Sequence, residues 1–175
     1  MGRVAAIVLA AGEASRFGSP KQRLLLPAVL ERLGSSPVDE IVVVEGAYEL
    51  ELPNSAESRG TRLARCPMWT RGTGASLRCG LDALDADVDA AVVVLADGPN
   101  LSPNSVVRVL DEWERTGGVV AASYDGARGH PLVLGRDEWS SVPDEGLRDS
   151  RVTLVPCDDL GAPGDIDRPE DMLER

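Results

Sequence analysis

The chain has 175 residues, 43% of them hydrophobic and 3% aromatic, with a formal net charge of -11. That length suits one globular domain spanning residues 1–175, and the hydrophobic fraction argues against disorder. No apolar run approaches the ~20 residues needed to cross a bilayer, and an acidic chain without a basic, aromatic-rich patch argues against a nucleic-acid partner, so we expect a cytoplasmic protein.

Val4–Ala10 is a continuous apolar run, the pattern of a strand covered on both faces in a parallel sheet. Ala11 to Pro20 holds Gly12, Gly18 and Pro20 and reads as a loop. Leu24–Leu33 predicts a short helix, with Pro27 near its start and Gly34 past its end. Glu40–Glu45 is a second strand. Gly46 to Arg65 is polar and irregular, with a short strand at Arg62–Arg65.

Gly74–Leu84 predicts a helix with Leu77, Leu81 and Leu84 on one face. Ala90–Ala96 is a third apolar strand, ended by the turn Asp97-Gly98-Pro99. Ser102 is a candidate N-cap with Pro103 at the first helical position, and the helix runs to about Arg115 before Gly117-Gly118. Strands follow at Val119–Ser123 and His130–Leu134, then a short helix near Arg136–Ser140 and a strand at Val152–Pro156. A last helix starts at Arg168, with Glu170 and Asp171 in its first turn. This alternation predicts one α/β domain, Rossmann-like, with three α/β/α layers and a mostly parallel sheet. Ligands of such sheets sit beyond the carboxyl ends of the strands, where Ala11–Lys21 and Asp97 fall.

The chain has three cysteines, Cys66, Cys79 and Cys157, and one histidine. With no C-x-x-C pair, a structural zinc site is excluded. The odd, sparse count suggests a reducing compartment, with each cysteine a small buried hydrophobe. Of 18 basic side chains only Lys21 is lysine, and a compact ammonium suits phosphate as a point charge.

The loop after the first strand carries two cations, Arg16 and Lys21, among glycines that let a backbone approach a ligand. It is neither a Walker A loop nor a dinucleotide fingerprint. Asp97, at a strand end before Gly98-Pro99, suits a Mg²⁺ bound to phosphates, since that ion takes one or two protein carboxylates plus substrate oxygens.

Leu9-Ala10-Ala11-Gly12, Ser15-Arg16-Phe17-Gly18 and Pro20-Lys21 together resemble the loop L-A-A/G-G-x-S-x-R-M/F-G-x-x-K of the nucleotidyltransferases related to molybdopterin guanylyl- and cytidylyltransferases. Ala14 departs from it, serine standing one residue later. Ala96-Asp97-Gly98-Pro99 resembles that family's A-D-x-P metal motif. Asp165-Ile166-Asp167-Arg168-Pro169-Glu170-Asp171 is similar to D-I/V-D-T-P-E-D-L, with Arg168 in place of threonine. Pro67 to Leu81 resembles N-P-x-W-x-x-G-M/L-x-x-S-L-x-x-G-L/I, with Thr73 at the Met/Leu position. Arg128-Gly129-His130-Pro131 resembles G-x-x-G-H/R-P.

The resemblance implies a nucleotide-diphospho-sugar transferase-like fold and a Mg²⁺-dependent transfer of NMP from an NTP, CTP ahead of GTP. The acceptor it implies is phosphorylated, foremost molybdopterin, with handover to a molybdoenzyme or its chaperone. It implies a nucleotide site of Leu9, Ala10, Ala11, Gly12, Arg16, Lys21, Gly74 and Ser76, with Arg16, Lys21 and Asp97 catalytic. Asp97 and Asp167 would hold the metal, Asp165 being the less favoured second ligand, and His130 would line the acceptor site. A sugar phosphate or small phosphorylated metabolite is the alternative acceptor. A nucleotide-binding regulator without turnover is the rival class. A serine hydrolase is a poor third, there being no G-x-S-x-G elbow.

Overall fold

The computed structural model describes residues 2–13, 21–57, 60–164 and 170. Arg16, Asp165, Asp167 and the helix expected from Arg168 lie outside the described residues. The elements run β1 (Arg3–Leu9), α1 (Lys21–Gly34), β2 (Glu40–Glu45), α2 (Asn54–Glu57), β3 (Arg62–Arg65), α3 (Thr73–Asp82), β4 (Val88–Leu95), α4 (Pro103–Thr116), β5 (Val119–Tyr124), β6 (Ala127–Gly135) and β7 (Thr153–Pro156). Short 3₁₀ turns cover Trp69–Arg71, Arg136–Ser141 and Asp158–Leu160.

The strands form one seven-stranded sheet in the order β3-β2-β1-β4-β6-β5-β7. β6 runs antiparallel to both its neighbours, and every other described pairing is parallel. The apolar strands are covered on both faces, as their unbroken hydrophobic runs require. Val4, Ala6, Val8, Val92 and Val94 face α1 and α4, whose Leu26, Val29, Leu33, Val106, Val109 and Leu110 are buried against them. Ile7, Val44, Ala91, Val93 and Leu132 face the other way, onto Leu77 and Leu81 of α3 and Val142. The expected three-layer α/β/α sandwich is therefore present.

Helix α1 begins at Lys21, earlier than the apolar pattern suggested, and encloses Pro27. Proline lacks an N–H, so one intrahelical bond is missing there and the helix is held by its packed face. Ser102 stands at the N-cap of α4 without a side-chain cap. Its carbonyl accepts instead from the Ser105 hydroxyl at 2.7 Å. Helix α3 lies close on the sheet because of Gly80, where a Cβ would come 2.7 Å from Ile7 Cγ2 and 2.9 Å from Val44 Cγ2.

The cysteine expectation needs correction. Cys66 and Cys79 are joined in a disulfide, with Cα atoms 5.6 Å apart, and only Cys157 is a free buried thiol. Parallel pairing of β3 on β2 brings the residue after β3 beside the helix that packs on the same sheet face. A separation of 13 residues gives no sign of that in the sequence. Closing a loop of this length is worth about 3 kcal/mol of denatured-state entropy. Urea unfolding with and without dithiothreitol should read a loss of that order, and Cys79→Ser should abolish the sensitivity to reductant.

Candidate active site

The sheet register builds one end of the molecule around β1 and β4. Leu9 pairs with Leu95, so the chain leaves both strands side by side, and Ala96 N donates to Leu9 O at 3.1 Å. The loop after β1 and Asp97 after β4 thus share a cleft of about 460 Å³ at the carboxyl ends of the strands. Among the described residues, none accepts from the main-chain N–H groups of Ala11, Gly12 or Glu13, and a Cβ on Gly12 would meet nothing within 4 Å. Consecutive unspent amides beside open space form a cradle for anionic oxygens.

Lys21 opens α1 and is buried at 8% exposure; its Nζ lies 3.1 Å from Asp97 Oδ2. Asp97 Oδ1 is buried with no hydrogen-bond partner. An orphaned carboxylate oxygen beside a phosphate cradle suits a hard divalent cation that completes its shell with substrate oxygens and water. Among the described residues no group of three or more His, Cys, Asp or Glu could cage a metal, and the cleft lining holds two carboxylates, Asp97 and Glu13.

The sequence-predicted Leu9, Ala10, Ala11, Gly12, Lys21, Ser76 and Asp97 all line this cleft. Gly74 does not. A Cβ there would fall 1.7 Å from Pro143 O, and its N–H donates to Asp144 O at 2.8 Å, which also accepts from Ala75 N at 3.3 Å. The first turn of α3 is therefore capped by protein, not open to an anion. The same segment is clamped from the side: Arg78 Nη1 donates to Val142 O at 2.6 Å, and Arg78 and Arg71 both pair with the Asp144 carboxylate. The hydrogen bond from Arg78 holds that carboxyl below its ordinary range.

Sequence reasoning missed Gln22, Trp69, Thr70 and Thr73, which also line the cleft. Trp69 and Thr70 lay inside a recognised segment. Gln22, directly after Lys21, is 6% exposed, donates from Nε2 to Gly12 O at 2.8 Å, and keeps Oε1 buried without a partner.

His130 lies outside this cleft, on β6, where two neighbouring cavities of about 310 and 750 Å³ meet. The larger is lined by the apolar Leu77, Val93 and Leu132 and by two residues of each charge, Arg128 and Arg148 with Glu145 and Asp149. Arg128 Nη1 donates to Leu147 O at 2.5 Å, and burial lowers its pKa. The His130 main chain is fixed by the Tyr124 hydroxyl, which donates to its carbonyl at 3.0 Å. Burial and the nearby Arg128 push the imidazole down to about 4, with Asp97 opposing them.

Residues 6–155 match the model of the MobA-like NTP transferase domain. The chain belongs to that family. It is 35% identical over 158 residues to the 2-C-methyl-D-erythritol 4-phosphate cytidylyltransferase of Thermobifida fusca, covering 81% of this chain and 64% of that one. It is 27% identical over 145 residues to the bifunctional protein GlmU of Sorangium cellulosum, covering 75% of this chain and 30% of that one. The chain thus spans less than two thirds of the length of either relative. Its fold matches the Mycobacterium sp. strain JC1 homologue of Mycobacterium tuberculosis Rv0371c with a TM-score of 0.78 at 24% identity, over 98% of this chain and 93% of that one.

In this MobA-like domain a histidine with a depressed pKa binds no proton at neutrality, whereas the unfolded chain binds one below its ordinary 6.5. The stability His130 contributes is therefore present above pH 6.5 and is lost as the pH falls toward 4. NMR titration of this single histidine should give a pKa near 4, and His130→Gln should flatten the loss of stability over that window.

Proposed function

We propose that this domain transfers an NMP group from an NTP to a phosphate on a small-molecule acceptor, releasing pyrophosphate. The observation that carries this reading is the pairing of buried Lys21 with half-buried Asp97 in a cleft walled by the β1 loop. In such a transfer the protein has little covalent chemistry to supply; it positions the reactants and neutralises their charge.

The Ala11–Glu13 amides would take phosphate oxygens. The Lys21 ammonium would turn from Asp97 to the charge that grows on the α-phosphoryl and leaving oxygens as the acceptor phosphate attacks in line. Arg16 would add a second cation to the polyphosphate. Asp97, released by Lys21, would hold Mg²⁺ through its orphaned Oδ1, with Asp167 as second ligand; when bound, the ion neutralises phosphate charge and polarises the phosphoryl group. A phosphate acceptor needs no general base, its second pKa lying near 6. A neutral His130 at the acceptor cavities agrees with that.

CTP is the favoured donor and GTP the next. For the acceptor, molybdopterin is the favoured reading: the larger cavity joins an apolar lining for a ring to Arg128 and Arg148 for a phosphate, with Glu145 and Asp149 as acceptors for ring N–H groups. Handover of that product to a molybdoenzyme or its chaperone would follow. The cytidylyltransferase relative favours a second reading, a phosphorylated polyol or sugar.

Pyrophosphate release with Mg²⁺ and each of the four NTPs, against molybdopterin and a panel of sugar and polyol phosphates, tests both. One NTP with one acceptor class should give turnover. Lys21→Ala and Asp97→Asn should each lower kcat by roughly 10²–10³, the scale of losing one preorganised charge contact. Lys21→Arg should restore little, a planar guanidinium being a poor copy of a buried ammonium. Tight NTP binding without any release, with Lys21 and Asp97 intact, would leave a nucleotide-binding regulator.

A further inference from the structure

Among the described residues of the cleft, Gln22 is a neutral polar side chain whose bonding is half complete. It is 6% exposed, on the first turn of α1 beside Lys21. Its Nε2 donates to Gly12 O at 2.8 Å, and its Oε1 is buried with no partner. The assignment of the two ends is fixed by that contact, because a flipped amide would set Oε1 against another carbonyl oxygen. A buried carboxamide oxygen left unpaired is costly, and a leucine or methionine would fill the same space without that cost. The oxygen therefore calls for a donor that arrives with the ligand.

The ligand has few groups that qualify. A triphosphate at neutral pH presents acceptor oxygens and repels a carbonyl dipole. Donors belong to the nucleoside half, as ribose hydroxyls or base N–H groups, or to water on a metal. Resting on the nucleotidyltransferase reading, we propose that Gln22 Oε1 accepts a hydrogen bond from the nucleoside half of the bound NTP. Gln22 thereby distinguishes a nucleotide from a bare polyphosphate, while its Nε2 fixes Gly12 in the cradle. Gln22 lines the cleft in which the nucleotide would sit.

Calorimetric titration of the wild type and Gln22→Met, each checked for folding by circular dichroism, separates these roles. The ligands are the four NTPs, their 2′- and 3′-deoxy forms, and inorganic tripolyphosphate, with and without Mg²⁺. The expected result is a rise in Kd on the order of tenfold for the preferred NTP in Gln22→Met, against a clearly smaller rise for tripolyphosphate from the lost brace on Gly12. A deoxy form that already binds weakly to the wild type, and loses nothing further in the variant, names the ribose; otherwise the donor is on the base. Equal weakening of NTP and tripolyphosphate would reduce Gln22 to a brace for Gly12 and overturn the proposal. So would a loss that disappears without Mg²⁺, which assigns the oxygen to a metal-bound water. If the variant does not fold, the wild type decides: equal affinity for NTP and tripolyphosphate overturns the proposal. A wild type that binds neither overturns the nucleotidyltransferase reading itself.

Discussion

A lysine and an aspartate held 3.1 Å apart at the crest of an apolar sheet are the constraint around which this molecule is arranged. Taking two charges out of water is expensive, and their mutual attraction offsets it only when geometry is good. The arrangement is stable because Lys21 and Asp97 are each brought there by rigid elements. Lys21 begins a helix buried along Leu26, Val29 and Leu33, and Asp97 follows a strand paired in register with β1 from Val4 to Leu9. An ion pair of that kind is poor evidence for stability and good evidence for use. Under the proposed function, an anionic ligand would take the place of the aspartate at the lysine, and a cation the place of the lysine at the aspartate.

The sheet and its three layers were legible because both faces of the sheet are covered. Val4–Ala10, Glu40–Glu45 and Ala90–Ala96 each read as unbroken apolar runs, and a strand buried on both sides has no polar alternation to hide it. Most of the cleft was legible for a related reason: its residues sit at fixed offsets from strand ends. What escaped depends on contacts between distant segments. The Cys66–Cys79 bond follows from β3 ending beside α3, a fact of topology. Gly74 looked like part of a ligand loop, yet its missing side chain makes room for Pro143 O, 69 residues further along the chain. Helix α1 starts at Lys21 although the apolar stripe begins later, because the polar first turn faces the cleft while the stripe marks only the packed face.

The capping of α3 redistributes the work of the site. A helix N-terminus is a ready anion site, and the loop before α3 invited that reading. With the Gly74 and Ala75 amides both given to Asp144 O, and with Arg71 and Arg78 both turned onto the Asp144 carboxylate, that wall, at the start of α3, does not hold those amides out to a phosphate. What it presents to the cleft is Trp69, Thr70, Thr73 and Ser76, an aromatic ring and three hydroxyls. Such a surface suits the uncharged half of a nucleotide. The β1 loop and Lys21 would then take the charged half, with Gln22 beside them. The disulfide belongs to the same division: it ties the segment carrying Trp69 to the helix carrying Ser76, so the uncharged wall is one rigid piece. Under the proposed function, that polarity would orient a nucleotide before any residue selects its base, and the acceptor would come from the side of β6, where Arg128 and His130 border the adjoining cavities.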